Sequence, residues 1–403
     1  MRVLLSACSC RPNEGSEPEV GWQRALHMQA FADEVWVITN SNFRGAIEAS
    51  PLSHTSKLHF IYYKLPPWVI KLTGSAGLIR IRYILWQWGA YRLAAQYHRD
   101  KPFDCVYHVT FATMRFGSFM GRLGIPFIIG PIAGGERAPF RLRRSMTIRG
   151  KAFELLRDLG ILLQRYGPLT RSAFAAAERI YVTTPASLWL IAPKWRSKAA
   201  VHIAIGTQGD AVQHDERRPP AFPRFVFAGH LLHLKGVHFA IRALAEARRT
   251  ISSATLTLLG EGPDEQWLRG VAKQFGVADA VEFSGRLPQQ QLIASYHSYT
   301  ALVFPSLHDS GGMAVLEALS EGLPVICLDL GGPGVIVNAS CGIVVPTADA
   351  NETQVVKGIA NAMISLGSMS ATELSRLSAG AIVRANELSW DRLTEQIAGR
   401  KDQ

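Results

Sequence analysis

No apolar run in this 403-residue sequence reaches the ~18–20 residues that a membrane-spanning helix needs, so none is expected. Cysteine is scarce and odd in number. Cys8, Cys10, Cys105, Cys327 and Cys341 lie mostly in apolar stretches, which points to buried free thiols in a reducing compartment and not to a disulfide framework. Cys8 and Cys10 lack the spacing and partner ligands of a zinc site. No Asp-x-Asp is present to hold a catalytic metal ion. No strand-like run is followed by a complete Gly-x-Gly-x-x-Gly, the mark of a dinucleotide site. Acidic residues are rare in one region: residues 51–200 carry 23 Lys+Arg against 6 Asp+Glu, whereas residues 201–403 carry 16 against 20. The basic surplus reads either as a solvated surface or as a face for an anionic membrane or substrate. No nucleic-acid-binding motif accompanies it, so nucleic acid is not an expected partner.

The length implies two or more domains, and a hydrophobic fraction of 48% allows sizeable cores. Leu5-Ser6-Ala7-Cys8 resembles a lipoprotein cleavage site, but the apolar segment before it falls far short of the ~7–15 residues of a secretory core. Met1 to Ala7 reads better as a first buried strand. Further strand candidates are 34–39, 57–62, 105–108, 126–129, 179–183, 225–228, 255–259, 281–284, 301–304, 325–328 and 342–345, with helical patterns between many of them, such as 237–249, 264–275 and 287–295. This alternation predicts an α/β protein with parallel sheets covered by helices on both faces. Residues 206–223 are polar and end in Arg217-Arg218-Pro219-Pro220-Ala221-Phe222-Pro223, which reads as a linker. The expected organisation is therefore two Rossmann-like, doubly wound domains facing a cleft, residues 1–205 and 224–380, with ligands at the carboxyl ends of the strands. Residues 66–95 mix Trp68, Trp86 and Trp88 with Lys71, Arg80, Arg82 and Arg92. A second basic segment runs from Arg137 to Lys151. Each reads as ordinary helix surface with core aromatics or as contact with a membrane or lipid acceptor.

Four constellations follow one another in the second half. After the strand at 225–228 comes Gly229-His230-Leu231-Leu232-His233-Leu234-Lys235-Gly236; a lysine opening a helix there can neutralise a diphosphate leaving group, or simply be solvated. Gly260-Glu261-Gly262-Pro263 reads as a tight turn at a strand tip. Phe283-Ser284-Gly285-Arg286-Leu287 carries a strand into a loop that could read a nucleobase edge through its backbone, or be a plain turn. The fourth, Asp309-Ser310-Gly311-Gly312-Met313-Ala314-Val315-Leu316-Glu317, puts two carboxylates around a strand-to-helix turn. Its amides and dipole charge suit a phosphate, and Glu317 lies within reach of a sugar hydroxyl.

Taken in this order, with Glu317-Ala318 and Gly322-Leu323-Pro324-Val325 completing the pattern, the chain resembles the retaining, nucleotide-sugar-dependent group 1 glycosyltransferases of GT-B fold, best over residues 225–346. The resemblance implies that Glu317 binds the donor ribose and Asp309 the transferred sugar. Backbone groups at Gly311, Gly312 and Met313 would hold sugar and phosphate, Lys235 the diphosphate, and His230, Arg286 and Leu287 would line the donor site. It further implies that His108, at the tip of the strand 105–108, faces the donor sugar. From its residues alone, a histidine there is as readily structural. Gly15 and Ser16, in the loop after the first strand, are expected near the donor phosphates. Two positions depart from the family pattern. Asp309 stands where Glu is usual, and His230 replaces an arginine, so Lys235 is expected to carry most of the diphosphate binding. Residues 381–403, with Leu388-Ser389-Trp390-Asp391-Arg392, are expected to form the helix that crosses back to the N-terminal domain.

The implied activity is transfer of a sugar from a nucleotide-diphosphate sugar, such as a UDP- or GDP-sugar, to a saccharide or lipid-linked acceptor, with retention and without a metal or other cofactor. The expected setting is polysaccharide or glycolipid biosynthesis in the cytoplasm or at the cytoplasmic face of the inner membrane, with peripheral contact to anionic lipid. An NAD(P)-dependent Rossmann oxidoreductase would need the missing third glycine. A non-catalytic basic membrane-binding protein would need neither the paired acids nor Lys235.

Overall fold

The computed structural model describes residues 1–14, 16–75, 78–110, 113, 116–209 and 220–398. They divide into two compact units. One comprises Met1–Gly135, Asp158–Ala204 and the C-terminal helix Trp390–Ala398; the other comprises Glu136–Arg157 and Ile205–Ser389.

The first unit is built on a seven-stranded sheet in the order β3-β2-β1-β4-β5-β6-β7. The strands are β1 Arg2–Ser6, β2 Glu34–Asn40, β3 Leu58–Tyr63, β4 Cys105–His108, β5 Phe127–Ile132, β6 Arg179–Val182 and β7 Ala199–Val201. All pair in parallel. The central strand shows why: Val3, Leu4 and Leu5 are all buried, as befits a strand covered on both faces and unlike the alternation of a half-exposed antiparallel sheet. The Trp390–Ala398 helix docks on the Ser16–Met28 helix of this unit. Arg24 donates to Thr394 Oγ1 at 3.1 Å and stacks its guanidinium 5.6 Å from the Trp390 ring, and His27 Nδ1 lies 2.6 Å from Asp391 Oδ1.

The three tryptophans of residues 66–95 do not share a surface. Trp68 is 65% exposed, but Trp86 is 2% exposed and donates its indole N–H to the Tyr63 carbonyl. Trp86 belongs to the core because it lies on the sheet side of the Ile79–Asp100 helix, beside buried Tyr83, Ala90 and Ala94. All five cysteines are buried and free, and burial pushes the thiols of Cys8, Cys10 and Cys327 far up. Among the described residues no helix is long and apolar enough to cross a membrane.

The second unit has a six-stranded parallel sheet, β10-β9-β8-β11-β12-β13, made of β8 Arg224–Ala228, β9 Thr255–Leu259, β10 Val281–Gly285, β11 Ala301–Phe304, β12 Val325–Leu328 and β13 Gly342–Val345. The order reverses direction between β8 and β11. At such a switch point the loops leaving two neighbouring strands part to opposite faces and open a crevice at the carboxyl ends.

Residues 136–157 precede the expected domain boundary in sequence, yet they belong to this unit. Ser145 donates through its N and Oγ to Glu352 at 2.7 and 2.9 Å, and Arg141 donates to the Asp349 carbonyl at 2.9 Å. Within the expected linker 206–223, residues 210–219 lie outside the described set. Thr207 is tied to the second unit, donating through N to Leu388 O and through Oγ1 to Ala385 O.

Candidate active site

The loops leaving β8 and β11 are laced together at the switch point. Leu307 N donates to Leu234 O at 2.9 Å, and Ser306 Oγ to the same carbonyl at 3.3 Å. Gly236 closes the turn with φ +68, and a Cβ there would strike the Pro305 carbonyl. This close approach sets Lys235 against Asp309, whose Oδ2 pairs with the lysine Nζ. Asp309 Oδ1 accepts from the amides of Gly311 and Gly312, each at 3.0 Å. Burial alone would raise the pKa of Asp309. The charge and hydrogen bond of Lys235, with the two glycine amides, outweigh it and hold the carboxyl below its ordinary value.

Asp309 is thus the anion that its own loop binds. The sequence assigned Gly311 and Gly312 to sugar and phosphate, but in this structure their amides are directed at a side chain. A shorter acid than Glu suits that role, because Oδ1 must reach back to amides two and three residues on. Met313 opens the helix Met313–Ser320 after Gly312, which has φ +70, so its amide has no intrahelical carbonyl to bind. A second glycine pair backs the loop: Gly332 N donates to Asp309 O at 2.6 Å, and Gly331 has no room for a Cβ against that same carbonyl.

Glu317 lies one turn along the helix and accepts from Gln289 Nε2 at 2.8 Å. Burial raises its pKa, and the Gln289 bond opposes the rise. Gln289, which opens the helix Gln289–Ser295, escaped the sequence reading. Its only local signal was its position four residues after Gly285. His230 and Arg286 stand exposed on the loops after β8 and β10, and Leu287 is half-buried. The Gly260-Glu261-Gly262 turn packs against the β8 loop: Leu231 N donates to Glu261 O at 2.9 Å, and the Gly229 and Leu231 carbonyls leave no space for side chains at 260 and 262. Its glycines serve close backbone contact.

Lys235, Asp309, Gly311, Gly312 and Met313 therefore form one cluster, with Glu317 along the same helix. His108 lies in the first unit, at the carboxyl end of β4 and level with Ser6. It is buried, and burial lowers its pKa to about 4, so its ring is neutral near pH 7. Gly15 lies outside the described residues, and Ser16 begins the Ser16–Met28 helix.

The sequence reading also missed a buried cluster behind the cation. Glu154 has no exposed side-chain surface. Its Oε1 is 3.0 Å from His308 Nε2 and 3.6 Å from His233 Nε2. His308 immediately precedes Asp309, and His233 stands two residues before Lys235. Asp264 holds the other side of His233, accepting its backbone N–H at 2.6 Å. Burial would raise the Glu154 pKa, but the facing rings of His233 and His308 hold it well below the usual carboxylate range. One carboxylate from residues 136–157 thus braces both loops of the switch point.

Residues 211–366 match the family described as glycosyl transferases group 1. The glycogen synthase of Mycobacterium tuberculosis is 33% identical over 184 residues, 45% of this chain and 43% of that protein. The chain spans about half the length of such curated relatives. Over nearly their whole lengths, two solved structures share its fold. One is the lipopolysaccharide outer core galactosyltransferase WaaB (TM-score 0.64, 12% identity, 98% of each chain). The other is HepE of Anabaena in complex with UDP (TM-score 0.62, 15% identity, 99% of each chain). Residues 211–366 are thus similar to the group 1 glycosyltransferases, and the chain has the two Rossmann-like domains of the GT-B fold.

Proposed function

We propose that this protein transfers a sugar from a nucleoside-diphosphate sugar to a saccharide or lipid-linked acceptor, with retention and without a catalytic metal ion, in polysaccharide or glycolipid biosynthesis. The observation that carries the reading is the Lys235–Asp309 pair at the β8–β11 switch point, with Glu317 one turn along the helix that starts there. HepE, bound to UDP and alike in fold, lends support to a nucleotide donor.

In this mechanism Lys235 and the opening amides of the Met313–Ser320 helix offset the negative charge that grows on the departing diphosphate. Asp309 keeps Lys235 aimed. Glu317 accepts from a ribose hydroxyl, with Gln289 fixing its carboxylate. His108 is proposed to face the donor sugar as a neutral imidazole. The acceptor hydroxyl attacks the anomeric carbon on the face from which the diphosphate departs, the sugar–phosphate bond breaks with its electron pair going to the diphosphate, and a diphosphate oxygen takes the hydroxyl proton. A lipid-linked acceptor would bring the enzyme to the cytoplasmic face of an anionic membrane, in keeping with the basic surplus of residues 51–200.

The deciding experiment is release of nucleoside diphosphate from a panel of UDP- and GDP-sugars. At least one donor should turn over, and chelation by EDTA should leave the rate unchanged because Lys235 supplies the charge. Binding of NAD but of no sugar nucleotide would overturn the reading. Glu317→Ala should raise KM for the donor about 10–100-fold, the worth of a hydrogen bond to a charged group, with a smaller change in kcat. An unchanged KM would remove Glu317 from the ribose.

A further inference from the structure

The second unit carries a pocket of about 920 Å³ whose lining includes none of the donor-site residues. Its lining includes Phe140, Arg141, Arg143, Arg144, Lys151 and Leu155. Local structure explains why these cations face out. In the short turn Phe140–Leu142 only Leu142 is buried, which leaves Phe140 and Arg141 outward. In the helix Ile148–Tyr166, Lys151 and Leu155 stand four residues apart on one face.

Two properties of this wall need a ligand to explain them together. The first is charge. Arg242 pairs with Glu352 in the pocket lining at 3.1 Å, and Glu352 also takes both Ser145 donors, so the acid offers nothing further. Arg141 meets the Asp349 carbonyl at 2.9 Å and the exposed Asp349 side chain at 3.3 Å. Among the described residues no carboxylate pairs with Arg144 or Lys151. The second is apolar exposure. Phe140 and Ile148 are each 87% exposed, and Leu155 and Leu156 each 69%. Single exposed apolar side chains are ordinary, but two in the lining of one cationic pocket, Phe140 and Leu155, with Ile148 and Leu156 exposed on the helix that carries Leu155, are not. A soluble phosphate would satisfy the cations and leave the apolar rim in water. A phospholipid satisfies both, with its phosphate among the cations and its chains against the rim.

We infer that this pocket binds the headgroup of an anionic phospholipid and seats the second unit on a membrane. The inference rests on the proposed membrane partner, and gives it a place: residues 140–156.

The test is co-sedimentation of the full chain with vesicles of phosphatidylcholine alone and of phosphatidylcholine with equimolar phosphatidylglycerol. The wild type should bind the anionic vesicles at least about tenfold better, and lose that binding as salt screens it. Arg144→Glu with Lys151→Glu, and separately Phe140→Ser with Leu155→Ser, should each cut it about tenfold, with nucleoside diphosphate binding unchanged as the check on folding. If the wild type ignores anionic vesicles at low salt, the membrane reading itself fails. If it binds and both variants bind equally well, the pocket assignment fails. Loss on Trp68→Ser alone would move the surface to the first unit. Complete displacement by inorganic phosphate would make the pocket a soluble-anion site and overturn the lipid. Donor turnover without vesicles reports on the transferase reading independently.

Discussion

A Lys235→Ala variant is expected to turn over about 10²–10³-fold more slowly than the wild type, the usual consequence of removing one preorganised group aimed at developing charge. The loss should fall mainly on kcat, because the diphosphate gains most of its negative charge as the sugar departs. The structure supplies a second reason for a large effect. Lys235 neutralises Asp309, whose other oxygen holds the Gly311 and Gly312 amides in place. Without the lysine, a carboxylate that burial already disfavours loses the positive charge that holds its pKa down. The two contributions can be separated. If Lys235 only steadies Asp309, then Asp309→Asn should cost as much as Lys235→Ala, and the double variant no more than either. If Lys235 also meets the diphosphate, Lys235→Ala should cost clearly more. Steady-state kinetics of the three variants decides between these outcomes, and wild-type turnover by Lys235→Ala would remove the lysine from the mechanism.

Each half of this cluster was legible in sequence because it is local, although the pairing of Lys235 with Asp309 was not. Lys235 follows β8 by a fixed short loop, and Asp309 to Glu317 is a single strand-to-helix turn. The parallel sheets were legible for the same reason: strands buried on both faces leave unbroken apolar runs such as Leu302-Val303-Phe304. What escaped depends on contacts across the fold. The Gly311 and Gly312 amides looked free for a ligand, since spacing does not reveal that Asp309 folds back on them. Trp86 could be read as a core or as a membrane-contact tryptophan, since composition does not say which helix face meets the sheet. Residues 136–157 looked like part of the first domain, since chain order says nothing of the bonds from Ser145 to Glu352 or from His308 to Glu154.

Glu154→Ala is expected to damage the donor site from behind. It leaves His233 and His308 without their shared acceptor, and a broken buried pair of this kind costs roughly 3–5 kcal/mol. The melting temperature of the second unit should fall by several degrees. Glu154→Gln is the more informative variant, because it keeps the shape and one acceptor while removing the charge. Stability against pH reads that charge directly. The Glu154 pKa is depressed in the folded protein, so its contribution is complete above the unfolded value of about 4.3. It is lost as pH falls below that value towards the folded one. The wild type should therefore be more stable than Glu154→Gln at neutral pH, with the gap closing on acidification. A gap that persists unchanged down to about pH 2 would mean that the glutamate is not held as an anion. Activity should follow the same brace: Glu154→Gln should lower kcat/KM about tenfold, as expected for a residue that acts by positioning Lys235 and Asp309 without touching substrate. Residue 154 lies outside the family match at 211–366, so the second unit of this chain is completed by a helix from well before it in sequence. A fragment starting at residue 205 should consequently bind nucleotide more weakly than the full chain, and for the same reason as Glu154→Ala.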